Sequence, residues 1–442
     1  MKIVRYKNKN SKFFIKPRLE KIEKNFNLTL GRKSKLIISV CSSGGGFRSM
    51  LATLGALRGL HDLKLLNSIH YISTISGSSW AVLPWILSDK NIIQFNENLV
   101  SQLDKFYCLK NFSKLDFEKL KSYKIFFLKF YEVFISQKKF KQNKGQNLNF
   151  IDLYGMFVSM IIFQDLGLNF QDLTLHQLSK KLERGMFPYP IFSATSELNN
   201  HKYEWFEFTP HYIGSKEINF FLNSEYFDKN LITLLGILGS SFSGSFKDVL
   251  NRMMQLPLPL DFVDFLNKTK NKLESGVWGN KRIGAAYLDN FAYGLNSRIK
   301  NVKKIPVFDG GYISNLPLEP LFNQEVASDI IFVIDNAGIL PQTSVLKDTV
   351  TQLLKKGIKL PEIDYEIAKK QSLSIFKGKL GVPTIIYIPL KKDLTYSKIF
   401  DPQLDKFCGT TNFFYSKKQA ELLMGLTQHV IHNNKDKILK LL

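Results

Sequence analysis

Cysteine is scarce in this sequence, and no segment has the composition of a membrane span. The 442 residues include three cysteines, at positions 41, 108 and 408, and none lies in a Cys-x-x-Cys or Cys/His pattern. This distribution excludes a disulfide framework and a zinc site, and it favours a reducing compartment. The apolar stretch from Leu231 to Phe246 is interrupted by glycines and serines and is too short to cross a bilayer.

Targeting and metal-binding signals are also missing. The N-terminus is basic but lacks the apolar core of a signal peptide. Neither a His-Glu-x-x-His motif nor an acidic loop of the calcium-binding type occurs. We therefore expect no cofactor or metal, and a protein that is soluble or peripherally bound to a membrane.

Acidic residues are few relative to basic ones, and the imbalance is concentrated in two tracts. The chain carries 61 Lys and Arg against 38 Asp and Glu, a formal charge of +23. Residues 1–35 hold twelve of the basic residues, and residues 105–144 hold eleven lysines interleaved with eleven aromatic side chains. This charge predicts an anionic partner.

An anionic phospholipid surface fits the mixture of lysine and aromatic residues in the second tract. A helix with a buried aromatic face and solvated lysines is the alternative. Nucleic acid is not expected, because no recognised binding motif accompanies the charge.

Short apolar runs that end in glycine or serine turns predict a parallel sheet with crossover helices. Strands are predicted at residues 36–40, 70–75, 304–308, 329–334 and 382–388, and helices at 49–60 and 78–87. We therefore predict an α/β fold with a central, mostly parallel sheet flanked by helices. Residues 88 to about 295 are less regular and richer in aromatic and basic residues, which predicts an inserted helical, aromatic-rich cap. No repeat or linker divides the chain, so we expect one composite domain over 36–442 after a basic N-terminal extension, 1–35.

Ser76 stands between a predicted strand and a predicted helix, in Thr74-Ile75-Ser76-Gly77-Ser78. A serine on a sharp strand-to-helix turn exposes its hydroxyl at the carboxyl end of the sheet, above a helix N-terminus. This is the arrangement of a serine nucleophile. An ordinary helix N-cap is the alternative.

The triglycine Gly44-Gly45-Gly46 also lies between a strand and a helix. Its backbone N–H groups can converge on an anion. Because it matches neither a Walker loop nor a dinucleotide fingerprint, an oxyanion hole is the favoured use. Arg48 would add a positive charge able to pair with a phosphate, and a tight turn with a solvated arginine is the alternative.

Asp309 follows an apolar strand and precedes two glycines. A carboxylate there can reach a serine on a neighbouring strand and act as its general base, provided that burial raises its pKa. A simple Asp-Gly-Gly turn is the alternative. None of the seven histidines lies in an obvious loop after a sheet strand, so a Ser-His-Asp triad is disfavoured but stays open.

Together these segments resemble the catalytic domain of the group IV cytosolic phospholipase A2 and phospholipase B family, within the patatin-like superfamily. The resemblance is strongest in residues 43–50, 75–80 and 309–317, and weaker in 145–155, 204–210, 239–243, 383–386 and 409–414. It implies hydrolysis of glycerophospholipid esters by a Ser-Asp dyad through an acyl-serine intermediate. The resemblance also implies a role for each matching residue of this sequence. Ser76 would be the nucleophile, Asp309 the base, Gly45 and Gly46 the oxyanion donors, and Arg48 the phosphate contact.

The resemblance thus implies a phospholipase A2 or lysophospholipase that is cytoplasmic and peripherally membrane-associated. For a bacterial source, export as an effector is a second option. About 35 residues precede the first predicted strand, fewer than a calcium-dependent lipid-docking domain needs, so calcium-independent action is expected. Thr74 replaces the family's glycine before the nucleophile, and the short segment between Phe242 and Asp309 predicts a reduced or missing lid.

Two other functions stay open. A patatin-type acyl hydrolase shares the three main segments, but Ser49 stands where patatins usually carry a glycine. A catalytically inactive lipid-binding protein would keep the fold for docking alone, although the intact Ser76 and Asp309 argue against it.

Overall fold

Strands and helices alternate along most of the chain. The computed structural model describes residues 2–6, 12–30, 36–110, 117–146, 148–163, 173–197, 203–240, 267–268, 286–295, 299–338 and 343–442. The strands in these ranges are β1 Ile3–Arg5, β2 Ile38–Ser42, β3 Ile69–Thr74, β4 Tyr189–Glu197, β5 Tyr203–Phe208, β6 Tyr212–Ser215, β7 Phe220–Asn223, β8 Ala286–Asp289, β9 Lys304–Asp309, β10 Ile330–Asp335, β11 Ser374–Phe376 and β12 Thr384–Pro389. The helices are α1 Lys12–Leu30, α2 Gly46–Asp62, α3 Gly77–Ser88, α4 Ile92–Lys110, α5 Phe117–Gln142, α6 Phe150–Phe163, α7 Gln177–Leu182, α8 Leu231–Leu238, α9 Glu319–Phe322, α10 Ser344–Lys355, α11 Tyr365–Lys370, α12 Lys417–Asn433 and α13 Lys435–Leu439.

These strands form one mixed sheet with a parallel core. Its order is β1-β7-β6-β5-β4-β3-β2-β10-β12-β11, and β9 pairs with both β4 and β8. The neighbours from β4 through β3, β2 and β10 to β12 are parallel, and both margins are antiparallel. Every residue of β2, β3 and β10 is buried, as expected of strands covered on both faces by helices. The predicted α/β architecture is confirmed.

Strands β2, β3, β9, β10 and β12 lie within two residues of their predicted bounds, whereas β4 has no predicted counterpart and α2 begins earlier than predicted. Apolar spacing predicts a start at residue 49, but the helix begins at Gly46. The last glycine of the triglycine therefore belongs to the first helical turn. This places the backbone N–H groups of the glycine loop at a helix N-terminus.

The predicted cap segment supplies strands as well as helices. Strands β4 to β7 lie in the main sheet, because β4 continues the parallel order next to β3. A purely helical cap is therefore not what the described residues form, and boundaries at residues 88 and 295 stay a prediction. The segment in which a reduced lid is predicted, between Phe242 and Asp309, lies mostly outside the described residues.

Helices α5, α6 and α8 of this segment are joined by close backbone contact and a buried ion pair. A Cβ on Gly155 of α6 would overlap the carbonyl oxygen of Ile232 in α8, so glycine is needed at this crossing. Lys141 of α5 pairs with the fully buried Asp152 of α6 at 2.8 Å. No helix within the described ranges is long and apolar enough to span a membrane.

The described part of the N-terminal extension is attached to the domain rather than detached from it. Strand β1 pairs with β7, and Arg18 of α1 is only 4% exposed. The Arg18 guanidinium donates hydrogen bonds of 2.6–3.1 Å to four backbone carbonyls, which belong to Leu66, Ile69, Gly185 and Met186. Burial lowers its pKa to about 9. Arg18 thus joins α1 to the start of β3.

We expect Arg18→Ala to lower the free energy of unfolding by about 3 kcal/mol, because it leaves buried carbonyls without donors. Urea denaturation monitored by circular dichroism measures the change. Lys24→Ala, at an exposed position of the same helix, is the matched control and should change stability by less than about 0.5 kcal/mol. Equal effects of the two variants would contradict the anchoring role of Arg18.

Candidate active site

Strand β4 brings the ends of β3 and β9 together. β3 pairs in parallel with residues 189–192 of β4, and β9 pairs antiparallel with residues 194–196. Because β5 occupies the other edge of β4 beside β9, β3 and β9 lie end to end along one edge. Their carboxyl ends face each other there. The turn that holds Ser76 and the strand end that holds Asp309 therefore meet.

Ser76 lies on a strained turn between β3 and α3. Its φ of 51° and ψ of −129° fall in a region that non-glycine residues rarely adopt and that clusters at functional sites. The residue occupies the N-cap position of α3, yet its side chain makes no capping hydrogen bond within the described residues. The ordinary N-cap interpretation of Ser76 therefore has no support in the geometry.

Neighbouring hydroxyls hold this turn in place. The Ser78 hydroxyl accepts from the backbone N–H of Ile75 at 3.0 Å and lies 2.9 Å from the carbonyl oxygen of Ser42. The Thr74 hydroxyl bonds that of Ser79 at 3.0 Å. The strained turn is thus formed with threonine at position 74, where the family usually has glycine.

The glycine loop passes directly over Ser76. A Cβ on Gly44 would lie 3.0 Å from the Cβ of Ser76, and a Cβ on Gly77 would overlap the carbonyl oxygen of Gly46. Gly45 and Gly46 have φ of 142° and 62°, which glycine alone adopts without strain. The N–H groups of a first helical turn have no partner inside the helix and lie at its positive end. Gly45 is the N-cap of α2 and Gly46 its first residue, so the N–H groups of both lie at the positive end of the helix, close to Ser76, where an anion is favoured.

Asp309 is the last residue of β9 and is 1% exposed. Its Oδ1 accepts from the backbone N–H of Gly311 at 2.8 Å, and its own N–H donates to Ser240 Oγ at 3.2 Å. A Cβ on Gly310 would lie 2.8 Å from Cγ2 of Ile75, so the two turns are in close contact. The carboxylate is fixed away from bulk water.

The segment after Asp309 is bound to both other parts of the site. Asn315 exchanges two hydrogen bonds of 3.3 Å with Gly44, one through its side chain and one through its backbone carbonyl. The carbonyl oxygen of Pro317 accepts from the Ser73 hydroxyl at 2.7 Å. These contacts give the Asn-Leu-Pro sequence a structural role in holding the aspartate segment against β3.

Arg48 is buried, contrary to the alternative of a solvated side chain. It is 5% exposed, and it donates from Nε to the carbonyl oxygen of Asn336 at 3.0 Å and from Nη1 to that of Cys408 at 2.8 Å. Its Nη2 packs against Gly45. Burial lowers its pKa. Arg48 joins the glycine loop to two other loops, and its contact with a phosphate stays a prediction.

Asn336 is a site residue that the sequence does not reveal. It is fully buried, and its side-chain nitrogen, which carries two hydrogens, lies within hydrogen-bond distance (3.2–3.3 Å) of the hydroxyls of Ser42, Ser49 and Thr53. Ser49 in turn donates to the carbonyl oxygen of Ser43. A glycine at position 49 could not make these bonds. The only signal in the sequence is a polar pair, Asp335-Asn336, at the end of an apolar strand.

Aromatic side chains enclose the site on the side of α3 and α6. The rings of Phe47 and Trp80 lie 5.5 Å apart, and those of Trp80 and Tyr154 lie 6.1 Å apart. Burial raises the pKa of the Tyr154 hydroxyl well above its usual value, and the negative charge of Asp309 raises it further. Tyr154 therefore lies within the electrostatic reach of Asp309.

Histidine and metal ligands contribute nothing to this arrangement in the described part of the chain. The histidines at 61, 176, 211, 429 and 432 contact other side chains, and His70 is buried within β3. His201 lies outside the described residues. No described group of three or more His, Cys, Asp or Glu is placed to hold a metal ion, and all three cysteines are free.

The chain is similar to known phospholipases in sequence and in fold. The lysophospholipase catalytic domain family matches residues 38–352. Mouse cytosolic phospholipase A2 zeta is 26% identical, with 91% of this chain and 56% of that protein covered. Mouse cytosolic phospholipase A2 gamma is also 26% identical, over 49% of this chain and 36% of that protein. The chain thus spans only part of the length of these relatives.

Among solved structures, human GIVD cytosolic phospholipase A2 has the same fold. Its TM-score is 0.76 at 18% identity, with 99% of this chain and 65% of that chain covered. Its complex with methyl gamma-linolenyl fluorophosphonate gives a TM-score of 0.70, also at 18% identity, over 98% of this chain and 64% of that chain.

We expect the buried carboxyl of Asp335, behind the glycine loop, to make stability depend on pH. Burial raises its pKa to about 6, although hydrogen bonds from Tyr387 and Ala337 lower it. Because the folded chain holds this proton more tightly than the unfolded chain, the stabilisation is complete below about pH 4 and is lost as pH rises through about 6. Thermal unfolding of wild type and Asp335→Asn across this range tests the expectation. The difference between the two proteins should change with pH, and a constant difference would contradict it.

Proposed function

The chain belongs to the lysophospholipase catalytic domain family, and on this premise we propose that it is a calcium-independent phospholipase A2 or lysophospholipase. Its reaction is hydrolysis of fatty-acyl esters of glycerophospholipids by a dyad of Ser76 and Asp309. The observation that carries the proposal is the end-to-end placement of β3 and β9 on one edge of β4. Nucleophile, base and backbone donors then all come from this chain.

The Ser76 hydroxyl attacks the ester carbonyl and passes its proton to the Asp309 carboxylate. The N–H groups of Gly45 and Gly46 stabilise the oxyanion that forms, and one such donor is typically worth about 3 to 4 kcal/mol. As the tetrahedral intermediate collapses, Asp309 returns this proton to the oxygen of the leaving alcohol, and an acyl-serine remains. Asp309, again a carboxylate, then takes a proton from a water molecule that attacks the acyl-serine, and it passes that proton to Ser76 Oγ as the fatty acid leaves.

The proposed site of action is an anionic phospholipid membrane surface, reached from the cytoplasm. The net charge of +23 and the lysine tract at 105–144 support it. On α5, within that tract, the side chains of Ile125, Leu128 and Tyr131 are exposed, although large apolar residues are usually buried. The matched relatives are named as cytosolic enzymes, in keeping with a cytoplasmic protein.

We expect Ser76→Ala to lower fatty acid release by roughly four orders of magnitude, because it removes the nucleophile. The assay uses mixed anionic liposomes with EGTA present. Asp309→Asn should cause a comparable loss, since the amide can still accept the hydrogen bond from Gly311 but cannot take a proton. Ser88→Ala, at the far end of α3, is the matched control.

Retained turnover in Ser76→Ala would refute the dyad. A wild type that binds liposomes, releases no fatty acid and is not labelled by a fluorophosphonate probe would instead indicate an inactive lipid-binding protein. If EGTA abolished the activity of the wild type and added calcium restored it, the proposed calcium independence would be wrong.

Arg48 is proposed to act on the substrate phosphate as well as to hold the glycine loop. We expect Arg48→Ala to reduce turnover of phospholipid more than turnover of a neutral p-nitrophenyl ester, because only the first substrate carries a phosphate. The ratio of kcat/KM values for the two substrates is the measurement. Equal losses on the two substrates would mean that Arg48 has only a structural role, through its hydrogen bonds to the carbonyls of Asn336 and Cys408.

A further inference from the structure

The loop between β12 and α12, residues 390–416, presents three large apolar side chains to solvent. Leu394 is 69% exposed, Ile399 91% and Leu404 77%, and the last two flank the segment 400–403. Single exposed apolar residues are common on protein surfaces, so exposure alone says little. Three further features distinguish Ile399 and Leu404 from scattered surface residues. Internal contacts hold their loop in a defined conformation, the loop packs beside the candidate active site, and lysines flank both side chains.

The turns that carry Ile399 and Leu404 are held by buried rings and hydrogen bonds. Phe400 is buried, and its ring stacks on that of Phe407 at 5.7 Å. The carboxylate of Asp401 accepts from the backbone N–H of Gln403 at 3.0 Å, and that of Asp405 accepts from the N–H of Asp401 at 2.9 Å. The loop thus holds both apolar side chains outward in a defined conformation, and its carboxylates close the turns.

This loop forms a wall of the candidate active site. It begins at the carboxyl end of β12, which is parallel to β10, β2 and β3. The carboxyl ends of these strands lie at the same end of the sheet, so the loop is on the side that carries Ser76. The carbonyl oxygen of Cys408 accepts from Arg48, and a Cβ on Gly46 would overlap the carbonyl oxygen of Thr410. Ile399 and Leu404 therefore belong to a loop that packs on the glycine loop.

Lysines flank both apolar side chains, and the lysine tract adjoins them. Lys398 precedes Ile399, Lys406 follows Leu404 by two residues, and both lysines are exposed. Leu404 and Lys406 share a shallow cavity of about 570 Å³ with Tyr107, which lies in the tract at 105–144. The ring of Phe106 stacks on Phe414 of the loop at 5.1 Å. The loop therefore adjoins the start of the tract, at the end of α4.

We propose that this loop enters an anionic phospholipid surface, with Ile399 and Leu404 among the acyl chains and Lys398 and Lys406 at the lipid phosphates. An apolar side chain next to a lysine suits a bilayer, because the first is buried while the ammonium group stays at the level of the headgroups. A protein partner would need a broader contiguous apolar patch. The inference rests on the proposed function, since it places the lipid next to Ser76.

The test is binding of the 442-residue Ser76→Ala protein to vesicles of phosphatidylcholine and phosphatidylserine, measured by co-sedimentation. In this background, Ile399→Asp with Leu404→Asp should weaken binding by about tenfold or more, because two apolar side chains no longer enter the bilayer. Lys398→Glu with Lys406→Glu should weaken binding to these vesicles and reduce its salt dependence. Equal melting temperatures verify that the variants are folded.

Leu380→Asp is the matched control. Leu380 is fully exposed and directly follows Lys379, but its loop precedes β12 and therefore lies at the opposite end of the parallel strands. Its replacement should change vesicle binding by less than about twofold.

Unchanged binding of the Ile399 and Leu404 double variant, or an equal loss in Leu380→Asp, would overturn the proposal. If the Ile399 and Leu404 double variant bound vesicles as before but no longer bound a protein that the parent protein binds, the loop would be a docking site for that protein instead. Binding is measured with a protein that lacks the nucleophile, so it does not depend on catalysis. An inactive wild type would therefore refute the proposed dyad without changing the result of the vesicle-binding test.

Discussion

The arrangement of the site depends on one edge of one strand. Hydrogen bonding along β4 is shared by β3 and β9, which run toward each other and stop two residues apart on it. Neither turn could be moved without breaking ladder hydrogen bonds, so the backbone itself sets how far Ser76 lies from Asp309. A site built on sheet ends in this way is held more tightly than one built on loops. The following Asn315 and Pro317 then tie the aspartate segment to the glycine loop and to β3.

Close backbone packing is the second constraint, and it explains why glycine recurs around Ser76. The loop over the serine, the first turn of α3 and the residue after Asp309 all lie too near a neighbouring backbone or side chain to carry a Cβ without displacement. The strained φ of Ser76 persists because hydrogen bonds of Ser78 and Thr74 surround it. Beneath the loop, Arg48 and Asn336 satisfy polar groups that would otherwise be buried without partners. The glycine loop is therefore supported from below by Asn336, which belongs to a distant segment, and by Arg48, which bonds the carbonyls of two distant segments.

The surface around the site combines positive charge with outward apolar side chains. The lysine tract begins at the end of α4, and the rings of Phe106 and Phe414 join that end to the loop before α12. Charge draws such a surface toward anionic lipid over about a Debye length, whereas apolar side chains act only on contact. Electrostatic attraction and apolar contact both act at the end of the sheet where β3 stops.

The amino-acid sequence by itself determined most of the core strands and the identity of the turns. Parallel strands buried on both faces appear as continuous apolar runs, so β2, β3, β10 and β12 are predicted within two residues, whereas β4, which carries serine and threonine among its apolar residues, is not. Ser76, Asp309 and the triglycine were recognisable because a turn between strand and helix is a local pattern. The sequence could not determine that the ends of β3 and β9 meet, that β4 to β7 join the sheet, or that Asn336 lies beneath the glycine loop. Nor could it tell a solvated Arg48 from a buried one, since the carbonyls that accept its hydrogen bonds are 288 and 360 positions away. Only the tertiary structure decided these points, because pairing between distant segments leaves no periodic trace along the chain.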